Sequence, residues 1–553
     1  MASLTPLAGT LGHRRAAHLL RRSSFRYTKA QVDELAGMSA ADAAASLMVA
    51  HPLQMTQPVF DNSGTAAVEN TVWLIPPIAH TSEPSDDVTL RRYVMGWWVH
   101  EALNDPGLVH KMTFFFHQYM IVAANAYWNT HFFDYLSLLR WGAIGNFKKL
   151  ATKLVTDNCM LRYLNNQQNT ANNPNENFAR EFLELFTIGK GPQAGPGDYT
   201  NYTEDDIILA AKVFTGFRTR QNRDVVDTET GIPRGDVFFN QHAPGDKEFS
   251  VRFQKTVIKG AKNQTEMWKE LSDFVDMVFA QPEVSRNFCR RLYRWFISRN
   301  ISAEIEQDII EPLAATFRAS QYEIQPVLQQ LLQSQHFFDA DDSDNANEIV
   351  GGMIKSPLEL TLQSLSFFDI AIPSPTANPT VHYQQFYSAN VIQRIFGLSG
   401  LPLFFSSDVA GYPGYYQNPD YYRQWFNSST IIARYKLPQQ LLTGKTQIGT
   451  GNPNASLRIK LDIAPWVKNS GFFSNPLDAY GLVQELLEYM LPEQPDNDRF
   501  NYFYITVFLD NLPASDWTYE WQNYLNTGND SEVKIPLERL VTAIMYAPEY
   551  QTF

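Results

Sequence analysis

Residues 173–191 read NPNENFAREFLELFTIGKG, and the stretch carries the signals of one short helix from start to stop. Asn173 suits the N-cap, where its side chain can accept an orphan backbone N–H. Pro174 then falls at the first helical position, where a missing N–H costs nothing. Glu176, three residues on from Asn173, stands at the reach-back position of a capping box. Gly189 or Gly191 provides the stop. Phe178, Phe182, Leu185 and Phe186 recur at i, i+4, i+7 and i+8 and make one apolar stripe, which Leu183 widens.

The other face is acidic. Glu176, Arg180 and Glu184 are four apart and line up, flanked by Asn177 and Glu181. One reading is structural: Glu176–Arg180 and Arg180–Glu184 are i,i+4 ion pairs, each contributing ~0.2–0.5 kcal/mol. The other is functional: Glu181 and Glu184, or Glu176, turn inward and meet His117 from a neighbouring helix. Carboxylates and a histidine on facing helices are how bundles hold a divalent metal. In that reading His117, Glu181 and Glu184 ligate the metal, the carboxylates or His117 move protons, and Arg180 orients an anionic group. The Glu-x-x-His spacing of di-metal bundles is absent, because the residue three on from Glu181 is Glu184.

Outward from this segment, helical periodicity dominates. Thr28–Gln31 and Ser39–Asp42 have the form of capping boxes, and Thr203–Asp206 caps a helix expected to run to Phe217. Residues 90–104 and 107–123 read as two helices joined by Asp105-Pro106-Gly107. Residues 236–253, DVFFNQHAPGDKEFSVRF, alternate apolar and polar around Ala-Pro-Gly-Asp and predict a β-hairpin. Helices are expected again at 266–281, 283–299, 303–319, 323–335, 356–370, 426–435, 476–491, 514–526 and 536–548. The expected class is mainly α, a multi-helix body with a small hairpin insertion. An N-terminal helical region, 1–338, is followed by an acidic linker, 339–349. A C-terminal helical region, 350–553, carries a long Tyr/Gly/Pro-rich irregular loop over 372–425.

Composition narrows the function classes. The 553 residues carry a net charge of −13, which argues against a nucleic-acid or anionic-membrane partner. Two cysteines, Cys159 and Cys289, exclude a disulfide framework or a cysteine-rich metal site and leave at most one bridge. No apolar run is long enough for a membrane span. The N-terminus as written has no signal peptide, so the expectation is a cytoplasmic chain or one whose export signal has been removed. No G-x-S-x-G, H-E-x-x-H, P-loop or dinucleotide fingerprint occurs.

Several blocks then resemble one bacterial family, the domain of unknown function numbered 1800. NPNENFAREFLELFTIGKG followed by YTEDDIILAAKVFTGF is similar to its PNENFARELLELFTLGVG and YTE blocks. AAHLLRRSSF, KMTFFFHQYM, FNQHAPGDKEF, IKSPLEL and DVAGYPG match further blocks in order, over roughly residues 13–440. The resemblance implies a mostly helical protein with no established activity. Many members carry export signals and are encoded beside a sulfatase/phosphatase-like family, which implies an envelope or secreted role and a protein partner by association. The family's W-H-x-H-F is here Phe116-His117-Gln118-Tyr119-Met120, so its second histidine is Tyr119. Its hairpin His-Asp is His242-Ala243, and its VAGWPG tryptophan is Tyr412.

Two further sites are candidates. His242, with Asp246 and Lys247, sits at the expected hairpin turn: either a solvated turn or a general acid/base over a cleft. Tyr412, Tyr415, Tyr416, Tyr421, Tyr422 and Trp425 make a dense aromatic loop, which either packs as core or stacks on a glycan or a protein partner. Two functions therefore stand: an interaction, scaffold or binding protein presenting the loop, and an enzyme, metal-dependent in one version, built on His117, Glu176, Arg180, Glu181 and Glu184.

Overall fold

Side-chain caps start the helices where the polar–apolar pattern changes. The computed structural model of the chain describes residues 2–49, 57–59, 84–341, 349–387, 392–406, 408–444 and 459–553. Most of the expected linker, residues 342–348, and residues 388–391 and 407 of the expected loop lie outside the described residues. Thr28 and Ser39 accept the backbone N–H groups of Gln31 and Asp42, and Thr203–Asp206 and Ser356–Glu359 form complete capping boxes. Each such cap stabilises its helix by ~1 kcal/mol. Asp105 joins Pro84–Asn104 to Val109–His117 by accepting from the N–H groups of Gly107 and His110, both at 2.8 Å.

The architecture is a multi-helix body with, among the described residues, three two-stranded antiparallel pieces. Two helices end earlier than their periodicity suggests. The 107–123 segment stops at His117, and the Thr203-capped helix stops at Val213. After Val213 the chain turns at Gly216, φ +81, where a Cβ would lie 2.7 Å from the Phe238 carbonyl oxygen.

The expected 236–253 hairpin does not form in that register. Asp236–Val237 pairs with Phe217–Arg218, and Lys247–Glu248 pairs with Val257–Ile258. Buried charge explains the change. His242 and Lys247, from the two sides of the supposed turn, both point at the buried carboxylate of Glu270, at 3.0 and 2.5 Å. Satisfying that carboxylate outweighs a few ladder bonds. The Ala-Pro-Gly-Asp turn instead packs on Gly260, where a Cβ would meet the Pro244 oxygen at 1.9 Å.

One apolar core runs through residues on both sides of the expected linker. Its centre is aromatic: Phe288 stacks on Phe317 with centroids 4.5 Å apart and lies 4.7 Å from Phe147. Arg21, from the Gly12–Ser23 helix, donates to the carbonyls of Tyr489 and Leu491, and Gln363 donates to the carbonyls of Arg21 and Ser24. Cys159 and Cys289 are free and buried. Among the described residues no helix is long and apolar enough to cross a membrane.

Candidate functional site

The 173–191 segment folds as a helix with a different start. Asn173 donates its N–H to the Thr170 carbonyl, and Asn175 donates to the side chain of Asn169. These bonds hold 173–176 outside the helix, which begins at Asn177 with Asn175 Oδ1 accepting its N–H at 2.9 Å. The expected Asn173 cap does not form: Glu176 stands at the N-cap position and its side chain accepts no helix N–H. Phe178, Phe182, Leu183 and Phe186 are buried as the stripe requires, and Gly189, φ +75, closes the end by donating to the Leu183 carbonyl.

The second half, Phe182–Phe186, is a π turn. Its extra residue per turn shifts everything beyond Glu181 around the axis. Arg180 reaches Glu176 at 3.4 Å as expected, but it does not pair with Glu184. Instead Nη1 and Nη2 donate to the two oxygens of Glu204, from the following Thr203-capped helix. Glu184 accepts from the Tyr202 hydroxyl at 3.1 Å and lies 3.7 Å from Lys190. Among the described residues Glu181 has no hydrogen-bond or ion-pair partner. Burial first, then the neighbouring charges of Glu184 and Asp408, push its carboxyl up to about 7, against the opposing pull of Arg180.

His117 sits elsewhere, fully buried. Its Nδ1–H donates to the Tyr135 hydroxyl at 3.0 Å, which donates onward to the Met120 carbonyl at 2.7 Å. On the other side the Tyr412 hydroxyl, which accepts the Phe404 N–H at 2.8 Å, donates to Nε2 at 3.3 Å. Every partner suits a neutral ring, and burial holds its pKa down at about 3. The structure does not bring His117, Glu181 and Glu184 together as a ligand set. Among the described residues no group of three or more His, Cys, Asp or Glu side chains is placed to hold a metal ion.

His242 is buried rather than on a solvated turn. Nδ1 donates to the Thr215 carbonyl at 2.9 Å, and Nε2 faces Glu270. Asp246 stays exposed, 2.7 Å from Lys259.

The aromatic loop divides. Tyr412 is core, tied to His117. Tyr415, Tyr416, Tyr421, Tyr422 and Trp425 line a cavity of about 150 Å³. Its opposite wall is the Pro282–Phe296 helix and the turn after it, through Arg291, Arg294, Trp295 and Arg299. The guanidinium of Arg294 lies 5.5 Å from the Tyr421 ring, that of Arg299 lies 5.9 Å from Tyr422, and that of Arg291 lies 4.4 Å from Tyr119. Tyr119, where the family has its second histidine, thus serves as a platform for an arginine. Tyr421 holds φ +44, a left-handed conformation that non-glycine residues seldom adopt. The sequence reading missed these arginines. Their signal was present: RRLYRWFISR, 290–299, holds four arginines in a chain of net charge −13.

Several of the blocks that resemble the family meet beside this cavity. Arg22 donates to the carbonyls of Phe296 and Ile297 at the end of the arginine-bearing helix. Lys111 forms a buried ion pair with Glu359, and its ammonium lies 4.9 Å from the Trp295 ring. Glu359 and Ser356 line the cavity, as does Gln118, whose carbonyl oxygen abuts Gly411. Residues as far apart in sequence as Gln118 and Phe553 thus line one cavity.

Comparison with curated proteins gave no match, and comparison with solved structures gave none. A family model does match, over residues 18–552, which extends the resemblance of the individual blocks through the C-terminal helices. The chain belongs to the family described as protein of unknown function (DUF1800).

Proposed function

We propose that the protein is a binding protein, and that its ligand, or the terminal group of a larger partner, enters the cavity framed by the aromatic loop. The observation that carries this reading is the composition of the walls: four tyrosines and Trp425, together with polar side chains of the Pro282–Phe296 helix. These rings stand on two short helical turns, Pro413–Tyr416 and Tyr421–Trp425, rather than on the irregular loop expected there. Flat amphipathic rings with polar tips suit stacking on a sugar ring or a planar group. At about 150 Å³ the cavity is smaller than the ~300–1,000 Å³ typical of sites that enclose a whole drug-sized ligand. It therefore accepts one ring or one end group, with the rest of a glycan or protein partner outside. The association of the family with a sulfatase/phosphatase-like neighbour makes an envelope or secreted system the setting in which to look for that partner.

A thermal-shift screen of saccharides and small ring compounds tests the reading. Hits whose stabilisation disappears in the Tyr421→Ala/Tyr422→Ala double variant support it. A broad library without hits, or hits indifferent to the double variant, would sink it.

A second reading, an enzyme, draws support from Glu181. An unpartnered carboxyl with a pKa of about 7, beside Glu184, Asp408 and Arg180, is suited to general acid/base work. In that reading Glu181 moves the proton, Arg180 and Glu184 orient the substrate, and Glu176 holds Arg180. His117 would support the site from behind through Tyr412. Chromogenic phosphate, sulfate, carboxylic ester and glycoside substrates test it. Turnover that titrates near neutrality and vanishes in Glu181→Gln supports an enzyme, and no turnover of any class counts against one.

A further inference from the structure

Of the four arginines in 290–299, Arg290 is engaged: it pairs with both Glu283 and Glu306. The other three line the cavity, and among the described residues none of them forms an ion pair. Arg291 gives one N–H to the Leu185 carbonyl at 3.1 Å, while its Nε is buried without an acceptor. Arg299 gives one N–H to the Pro419 carbonyl at 2.6 Å. The side chain of Arg294 makes no hydrogen bond among the described residues, and its Nε too is buried without an acceptor. Burial lowers the pKa of both Arg291 and Arg294, the mark of cations lacking a countercharge. Among the described residues the one carboxylate side chain on the cavity wall, Glu359, is already held by Lys111 and by the Ser356 N–H at 2.7 Å. The wall is thus net positive in a strongly acidic chain.

Guanidinium N–H groups left without acceptors are unfavourable in a partly buried place unless something accepts from them. Their planar fork matches the oxygens of a phosphate, sulfate or carboxylate, and such charge-assisted bonds are about twice as strong as neutral ones. We propose that the cavity binds an oxyanion group, held by Arg291, Arg294 and Arg299, with the adjoining part of the ligand against Tyr421 and Tyr422. This rests on the ligand-binding reading above and specifies its chemistry. The volume suits the assignment, since about 150 Å³ admits an oxyanion with one small ring.

The test uses the full chain and four probes: phenyl phosphate, phenyl sulfate, benzoate and neutral benzyl alcohol. Trp295 and Trp425 line the cavity, so intrinsic fluorescence reports binding, and calorimetry supplies affinities. The expected result is saturable binding of at least one anion, at least tenfold tighter than benzyl alcohol and weakened by added salt. Arg294→Gln and Arg299→Gln each weaken it at least tenfold without altering the thermal midpoint by more than a few degrees, and Arg294→Lys weakens it less. The tightest anion identifies the group. Benzyl alcohol binding as well as the anions, lost on Tyr421→Ala, overturns the oxyanion assignment and leaves the binding reading intact. Anion binding unchanged in both arginine variants also overturns the assignment. Failure of all four probes overturns it too, and the ligand screen then decides the broader reading separately.

Discussion

Arg180 holds both carboxylate oxygens of Glu204, Nη1 at 2.9 Å and Nη2 at 2.7 Å, and so clamps the NENFAREFLELF helix to the helix capped by Thr203. Both side chains are about a third exposed, at 32% and 35%, which limits the strength of the pair. A double-mutant cycle of Arg180→Ala and Glu204→Ala should give a coupling of ~0.5–1 kcal/mol at neutral pH. Arg180 also lowers the pKa of Glu204, through its hydrogen bond first. A depressed carboxylate pKa stabilises the fold above the ordinary glutamate range, and that contribution fades as pH falls through the folded value. The coupling should therefore shrink in acid; a coupling constant from pH 7 to pH 3 would contradict the assignment.

Glu181 should behave in the opposite sense. Its folded pKa, about 7, stands above the ordinary 4.5. Below 4.5 both folded and unfolded chains carry the proton. Between about 4.5 and 7 only the unfolded chain releases it, so stability falls as pH rises. Replacement by glutamine removes that fall. Urea midpoints at pH 5 and pH 8 should differ less in Glu181→Gln than in the parent chain, with the variant gaining at pH 8. Equal pH dependence in the two chains would refute the raised pKa.

Gly411 has φ +100, and a Cβ there would lie 1.8 Å from the Gln118 carbonyl oxygen. Neither backbone segment can yield cheaply, since Gln118 ends the His117 helix and Tyr412 is bonded to His117. Gly411→Ala should destabilise the protein by ~2–4 kcal/mol and weaken any ligand of the cavity. Denaturant unfolding checks this; a loss under ~0.5 kcal/mol would mean that the loop is not pressed against the helix as described.

Lys111 and Glu359 form a buried pair surrounded by the rings of Phe25, Trp295 and Phe553. Lys111→Met strands the carboxylate and should cost about 3–5 kcal/mol. Adding Glu359→Gln removes the stranded charge while keeping an acceptor for the Ser356 N–H, and should restore at least half of the loss. Additive losses in the double variant would contradict the pairing.

The helices themselves were legible in the residues. Caps at Thr28, Ser39 and Thr203 and the apolar stripe of 178–186 are local signals, and local signals act over one or two turns. Where the chain met distant partners, local reading failed for identifiable reasons. Asn173 lost the cap because Asn169 and Thr170 hold the preceding loop. The 236–253 hairpin shifted register because Glu270, on another helix, draws His242 and Lys247 inward.

The candidate site divides along the same line. Residues 173–191 alone determined a helix with a buried aromatic stripe, a glycine stop and an acidic face, and the block order alone placed the chain in its family. Only the tertiary structure decided where the acidic face points. The π turn separates Glu184 from Arg180, Arg180 goes to Glu204, and Glu181 is left without a partner among the described residues. Likewise tyrosines near 412–425 and arginines at 291–299 are over 110 positions apart and share no periodicity. They become one cavity because helix packing, which depends on shape and burial across the whole core, sets them face to face.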